Sequence, residues 1–169
     1  MQGSEAAPTR DTAAILEQIV EEQIPAGRGF AAWQALMQAH ATLMRRLATE
    51  LAEETGLTLG DFDVLVQLAS AGGVLRMTDL AARVFSSRSN LTRRIDRLVT
   101  EGLVQRTAAE ADGRGVAVAL TDAGLARLQE TAPVHLRGVA NLFISPLTDD
   151  ELAVLERALA KVTVDCTFG

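Results

Sequence analysis

The sequence predicts a mainly helical fold with a small β-wing, an α+β arrangement in which a winged helix-turn-helix lies between long terminal helices. Two short helical patterns follow one another at residues 78–84 and 87–101. Two short strand patterns come next, at residues 103–107 and 116–120, and a polar tip containing glycine joins them. Amphipathic helical patterns precede and follow this block.

We therefore expect four segments along the chain. They are a flexible arm at 1–10, N-terminal dimerisation helices at 11–56, the winged helix-turn-helix at 57–121 and C-terminal dimerisation helices at 122–169. The terminal helices carry more apolar residues than a small winged domain can cover, so we expect a second copy of the chain to bury them.

The composition restricts the class of protein. Of the 169 residues, 48% are hydrophobic, which supplies a core and argues against disorder. No apolar run approaches the ~20 residues that cross a bilayer, and the first residues lack a secretory pattern, so we expect a cytoplasmic protein without membrane contact. The single Cys166 and two histidines predict neither an internal disulfide nor a metal site. Without a catalytic or phosphate-cradling motif, we expect no enzyme and no cofactor.

The charge is unevenly distributed along the chain. The net charge is −6, yet residues 76–114 contain eight arginines and only five acidic residues. That segment is therefore +3, and the remainder of the chain is −9. A phosphate backbone responds to charges within about 8–10 Å, so acidity elsewhere does not exclude binding to nucleic acid.

The N-terminal part of the chain predicts two helices. Apolar residues recur at three- and four-residue steps over residues 11–24 and again from Phe30 to about Glu54, with Gly56 as the C-cap.

The next segment predicts a helix and one short strand. Thr58 opens the helix, with Asp61 as an approximate capping box. Gly72 and Gly73 end it, and residues 74–76 suffice for a strand.

The second helix of the helix-turn-helix has two unlike faces. Four apolar residues share the face that we expect to be buried: Leu91, Ile95, Leu98 and Val99. The opposite face carries Ser89, Asn90, Arg93 and Arg97, with Arg94 at its flank. The N-terminal half of such a helix enters the major groove, where arginine pairs with guanine and asparagine with adenine. For this helix taken alone, an ordinary solvated face is the alternative interpretation.

The predicted hairpin supplies a second contact. Val116, Val118 and Leu120 alternate along its second strand and share one face. Arg114 lies at the tip, where an arginine suits a narrow minor groove, and we expect Asp112 to brace an arginine. A generic polar turn is the alternative for this tip.

The C-terminal part predicts two further helices. Thr121 caps the first, which extends to about Ile144 with a kink near Pro133. Thr148 and Glu151 form a capping box for the last.

Together these segments resemble the MarR family of bacterial winged-helix regulators. The resemblance rests on Leu-Thr-Leu-Gly-Asp-Phe-Asp-Val-Leu at 57–65, Leu-Thr-Arg-Arg-Ile-Asp-Arg-Leu-Val at 91–99, Glu-Gly-Leu-Val-Gln-Arg at 101–106 and Asp-Gly-Arg-Gly-Val-Ala-Val-Ala-Leu-Thr-Asp-Ala-Gly at 112–124. It implies a homodimer that grips palindromic double-stranded DNA, with one minor-groove arginine in each wing. The DNA-binding residues that it implies are Ser87, Arg88, Ser89, Asn90, Thr92, Arg93, Arg94 and Arg114, with Asp112 supporting the wing.

Many proteins that resemble this family bind small aromatic or phenolic anions between the dimer helices and the winged domain. The candidate ligand residues here are Trp33, His40, Asp63 and Arg106, with Thr92 nearby. A packed aromatic and a core histidine are the favoured alternatives for Trp33 and His40, and a first-turn carboxylate beside the helix dipole is the alternative for Asp63. Cys166 is not interpreted as a redox switch, because peroxide-sensing relatives carry their cysteine in the first long helix.

The sequence thus predicts a DNA-binding transcriptional regulator, a repressor that a small aromatic ligand releases. The alternative from another class is a winged-helix module that mediates protein–protein contacts without binding DNA.

Overall fold

The computed structural model describes residues 12–24, 28–84, 88–108 and 115–167. The helices in these ranges are α1 (Thr12–Gln23), α2 (Arg28–Thr55), α3 (Leu59–Ser70), α4 (Met77–Arg83), α5 (Arg88–Thr100), α6 (Asp122–Val139) and α7 (Asp149–Thr167). The strands are β1 (Val74–Arg76), β2 (Val104–Ala108) and β3 (Val116–Leu120). The mainly helical fold with a small sheet is therefore confirmed.

The chain divides into two compact units at Thr42 and Leu43, within α2. The N-terminal unit contains α1 and the first part of α2. The second unit contains the rest of α2, the sheet and all later helices. Within the described ranges, no helix is long and apolar enough to cross a membrane.

Local sequence signals set the ends of several helices. Gly56 adopts φ 72°, the left-handed conformation that terminates α2. The Thr58 hydroxyl accepts a hydrogen bond from the Asp61 amide (3.2 Å), as a residue preceding α3 should. The Thr121 hydroxyl accepts one from the Gly124 amide (3.0 Å) and begins α6 in the same way.

The three strands form an antiparallel sheet in the order β1-β3-β2. Because β3 is the central strand, Ala117, Val118 and Ala119 are all buried. Val116 lies at the end of the ladder, where it pairs only with Ala108 of β2, and is 47% exposed. Alternation places Val116 on the same face of β3 as Val118, but its position at the end of the ladder leaves it exposed.

The hydrophobic core formed by the described residues lies in the second unit. It joins the end of α2 to α3, α4, α5 and the sheet, and nine of its side chains are completely inaccessible to solvent. These are Leu51, Val64, Leu65, Leu68, Leu80, Leu91, Ile95, Leu98 and Val118. Burying side chains of this size contributes about 1.5–3 kcal/mol each, which fixes α5 against α3 and α4.

Polar contacts attach α6 to the C-terminal end of α2. The Arg127 guanidinium donates to the Thr55 carbonyl oxygen, and Arg137 Nη2 lies 2.6 Å from Glu54 Oε2. The helix runs through Pro133, which has no N–H to donate, and a π-helical turn at Ala140–Ile144 follows it. That turn closes with the Ser145 amide donating to the Ala140 carbonyl (2.8 Å).

His135 of α6 packs against α3 with an unsatisfied ring nitrogen. Its ring centroid lies 4.8 Å from that of Phe62, and its Nδ1 is buried with no hydrogen-bond partner among the described residues. Burial lowers the pKa of His135 from its ordinary value, because the charged imidazolium is poorly solvated there.

We predict that His135 makes the fold less stable in mild acid. Its pKa is lower in the folded than in the unfolded chain, so the unfolded chain binds more protons and stability falls as the pH drops below about 6.5. Urea unfolding at about pH 8 and about pH 5.5 measures this loss, and His135→Gln should lose less across the same interval. An equal loss in parent and variant would contradict the assignment to His135.

Candidate nucleic-acid interface

The polar face of α5 is turned outward because its apolar face is fully used by the core. Leu91, Ile95 and Leu98 are buried without exception, as the helical spacing predicts. Val99 was expected on the same face but is 36% exposed, because it lies at the edge of the contact. The helix ends at Gly102, with φ 73°, and β2 follows directly.

An open depression of about 250 Å³ lies on this outward face. Its described lining consists of Asn90, Arg93, Arg94 and Arg97, four residues that the sequence places on the polar side or flank of α5. Three guanidinium groups thus converge on one surface, which favours an anionic partner such as a phosphate backbone.

Asn90 and Arg93 form a pair within the depression. Arg93 Nη2 donates to Asn90 Oδ1 at 2.6 Å, and both side chains are exposed. Residues three apart are neighbours on a helix surface, so the bond forms without distortion of α5.

Arg94 and Arg97 are held by a buried carboxylate of α3. Arg94 Nη1 lies 3.0 Å from Asp61 Oδ1, and Arg97 pairs with the other oxygen, Oδ2. The Asp61 side chain is 3% exposed, against 21% for Arg94 and 48% for Arg97. The hydrogen bond to Asp61 raises the pKa of Arg97 above its ordinary value, while burial opposes the shift. The carboxylate therefore shares its charge between two cations of the outward face.

Thr58 completes this network. Its hydroxyl donates to Asp61 Oδ2 (2.5 Å) and accepts from Arg94 Nη1 (3.1 Å). The same hydroxyl caps α3, so the start of α3 and the middle of α5 are joined through one side chain.

Gly60 provides the space that Arg94 occupies. A Cβ atom at this position would collide with Nη1, Cζ and Nη2 of Arg94. The guanidinium therefore lies directly over the first turn of α3, and a side chain at position 60 would displace it.

A second ion pair joins α5 to the wing. Arg106 Nη1 of β2 lies 2.7 Å from Asp96 Oδ1 of α5, and both side chains are partly exposed. Arg106 was predicted as a ligand residue, and an incoming anion would have to compete with Asp96 for it.

The other predicted site residues are distributed as follows. Ser87, Asp112 and Arg114 lie outside the described residues, and the side chains of Arg88 and Ser89 also do, although their backbone begins α5. Thr92 is exposed on α5, and Asp63 is half-buried on α3, where it accepts from Gln67 Nε2 (3.2 Å). Trp33 and His40 are exposed on the part of α2 that belongs to the N-terminal unit.

Sequence reasoning missed the part that Asp61 plays. It was identified only as a capping-box residue, and its arginine partners are 33 and 36 positions away. The available signal was the pair Arg94 and Arg97 near the flank of α5, which indicates a carboxylate on the facing helix without specifying which one.

A helix pair whose second helix turns arginines outward, followed by an antiparallel wing, defines the winged helix-turn-helix class. Comparison with known proteins narrows the class. A family model described as MarR family matches residues 55–115. The multiple antibiotic resistance protein MarR of Escherichia coli is 32% identical over 117 residues, covering 69% of this chain and 81% of that protein.

Solved structures agree. AbsC, a MarR family transcriptional regulator of Streptomyces coelicolor, matches with a TM-score of 0.75 and 31% identity over 82% of this chain and 94% of that one. Sco3205 of the same organism, solved in complex with DNA, matches with a TM-score of 0.74 and 29% identity over 82% of this chain and 90% of that one. The chain belongs to the MarR family of transcriptional regulators.

We predict that Asp61→Asn lowers the free energy of unfolding by about 1–3 kcal/mol, because it removes the negative charge shared by two arginines and replaces one buried acceptor oxygen by an NH2 donor. Arg94 and Arg97 both remain partly exposed to solvent, so the loss of stability should be smaller than the loss caused by leaving a fully buried charge without a partner. Asp96→Asn is the matched control: it breaks the partly exposed pair between α5 and β2 and should cost less than about 1 kcal/mol. Equal losses of unfolding free energy in the two variants, measured by urea unfolding, would show that the buried Asp61 network stabilises the fold no more than a surface pair does.

Proposed function

We propose that this protein is a homodimeric transcriptional repressor that binds palindromic double-stranded DNA through α5 and the wing. The observation that carries the proposal is the outward polar face of α5, where Asn90, Arg93, Arg94 and Arg97 line one open depression. Sco3205, which shares the fold, was solved in complex with DNA. A protein–protein module is the second candidate class, but an arginine-lined surface suits phosphate better than an apolar partner.

Dimerisation is supported by apolar side chains left exposed in both units. Within the N-terminal unit, Ile15, Ile19 and Trp33 are about half exposed (49%, 52% and 54%). Within the second unit, Val154 and Val162 of α7 are 55% and 56% exposed. Patches of this kind mark interfaces, and a two-fold pair would set two copies of α5 about 34–36 Å apart, one turn of DNA.

We predict that Arg93→Ala and Arg114→Ala affect DNA binding differently. Arg93 lies on the groove-facing side of α5, so its loss should lower discrimination between preferred and altered duplexes by about 10–100-fold. Arg114, expected at the wing tip, should weaken binding to all sequences alike and reduce the salt dependence. Fluorescence anisotropy across a salt series measures both quantities on a duplex recovered from a randomised pool.

Arg46→Ala is the matched control for this experiment, because Arg46 is an exposed arginine of α2 whose contact is a 3.6 Å pair with Glu50. Sedimentation of the complex should give two protomers per duplex. If the parent protein recovers no sequence and shows no salt-dependent binding, the repressor proposal fails and the protein–protein module is favoured.

We also propose that a small aromatic or phenolic anion releases the repressor. Arg106 supports this because its side chain is 39% exposed and that of its partner Asp96 is 55% exposed, so the carboxylate of a ligand can reach Arg106 and exchange with Asp96. Trp33, His40 and Asp63 are the further candidate contacts. A ligand can act on DNA binding only through its preference for one arrangement of the two α5 helices.

We predict that benzoate or a hydroxybenzoate raises the melting temperature and lowers the affinity for DNA. Binding to the folded state stabilises by mass action, by about 2.7 kcal/mol at a hundredfold excess over Kd. Arg106→Gln should abolish the thermal shift, whereas Arg137→Gln, at an exposed arginine paired with Glu54, should retain it. A shift without a change in DNA affinity would contradict the release, and no shift with any of these compounds would remove the ligand proposal alone.

A further inference from the structure

We infer that Asn90 is a positioning residue, which holds Arg93 for one guanine in each half-site and does not itself read a base. The inference rests on the proposed function and adds to it the identity of the base contact. It is carried by the hydrogen bond between Arg93 Nη2 and Asn90 Oδ1 (2.6 Å) on the outward face of α5.

The bond to Arg93 competes with the usual base contact of the Asn90 amide. Specific recognition of adenine uses both ends of an amide, with the oxygen accepting from N6 and the nitrogen donating to N7. In this chain the oxygen already accepts a short, charge-assisted bond from a guanidinium. Reading adenine would require the same oxygen to accept from N6 with its remaining lone pair, beside a guanidinium already directed at it. The bond to Arg93 therefore favours a positioning role for Asn90.

Arg93 keeps the donors that guanine requires. One hydrogen of Nη2 is directed to Asn90, and the other hydrogen of Nη2 still forms a two-pronged donor with a neighbouring nitrogen of the guanidinium. That fork matches O6 and N7 of guanine in the major groove. A restrained side chain loses less conformational freedom on binding than a free one, so the bond to Asn90 favours the complex.

The neighbouring arginines are committed elsewhere. Arg94 and Arg97 both pair with Asp61, and Arg94 is packed over Gly60. Of the arginines lining the depression, Arg93 is the one without a carboxylate partner among the described residues. Among the arginines of this depression, Arg93 is therefore the best placed to contact a base.

A double-mutant cycle tests the inference on a duplex recovered by the parent protein from a randomised pool. Each base pair of that duplex is replaced in turn, and anisotropy gives the preference at each position for the parent, Asn90→Ala, Arg93→Ala and the double variant. We expect Asn90→Ala to lower the preference at one guanine per half-site by about three- to tenfold, the order for ordering one long side chain. Arg93→Ala should abolish that preference, and the double variant should equal Arg93→Ala.

Asn90→Asp provides a readout that a merely structural role would not move. The carboxylate still accepts from Arg93, so the preference for guanine should persist, while the added negative charge weakens binding to every sequence alike. Because both side chains are exposed, all variants should fold, which urea unfolding verifies.

Two results would overturn the inference while leaving the repressor proposal intact. One is a parent-like preference in Asn90→Ala. The other is a further loss of preference when Asn90→Ala is added to Arg93→Ala, above all at an adenine, because Asn90 would then contact a base directly. A parent protein that recovers no sequence would instead overturn the repressor proposal and this inference with it.

Discussion

The carboxylate of Asp61 connects the architecture of the second unit to its outward surface. It is almost completely buried, yet it accepts from Thr58, Arg94 and Arg97 at once. A buried charge is tolerated only when it is paired and hydrogen-bonded, and this one satisfies both conditions. As a result the N-terminus of α3 and the central part of α5 cannot shift independently without exposing or orphaning the carboxylate.

The network also shapes the field that a partner would meet. Counting arginines along α5 suggests a uniformly basic helix, but two of the three in the depression share one negative charge. The positive charge on the described face is therefore strongest around Arg93. It is weaker toward the C-terminal half of the helix, where Asp61 pairs with Arg94 and Arg97. Such grading favours an orientation in which the N-terminal half of α5 approaches a groove, as in other helix-turn-helix proteins.

Much of the fold was predictable from local signals, because caps, glycine stops and apolar spacing act within a few residues. The starts of α3 and α6 at Thr58 and Thr121 and the buried row Leu91, Ile95 and Leu98 are examples. What could not be predicted depends on neighbours distant in sequence. Val116 is exposed because of its place at the end of a central strand, and the Asp61 pairs bridge more than thirty residues. The same limit applies to the site: residue types on α5 were identifiable, but their partners were not.

The missing side chain at Gly60 has a consequence for anyone who would move α5 to another scaffold. Arg94 rests against the bare backbone of α3, so the contour of that turn is part of what orients α5. Transplanting α5 alone would place its cations over a surface that was not shaped for them. α5 and residues 58–61 are two separate stretches of chain that must therefore be exchanged together.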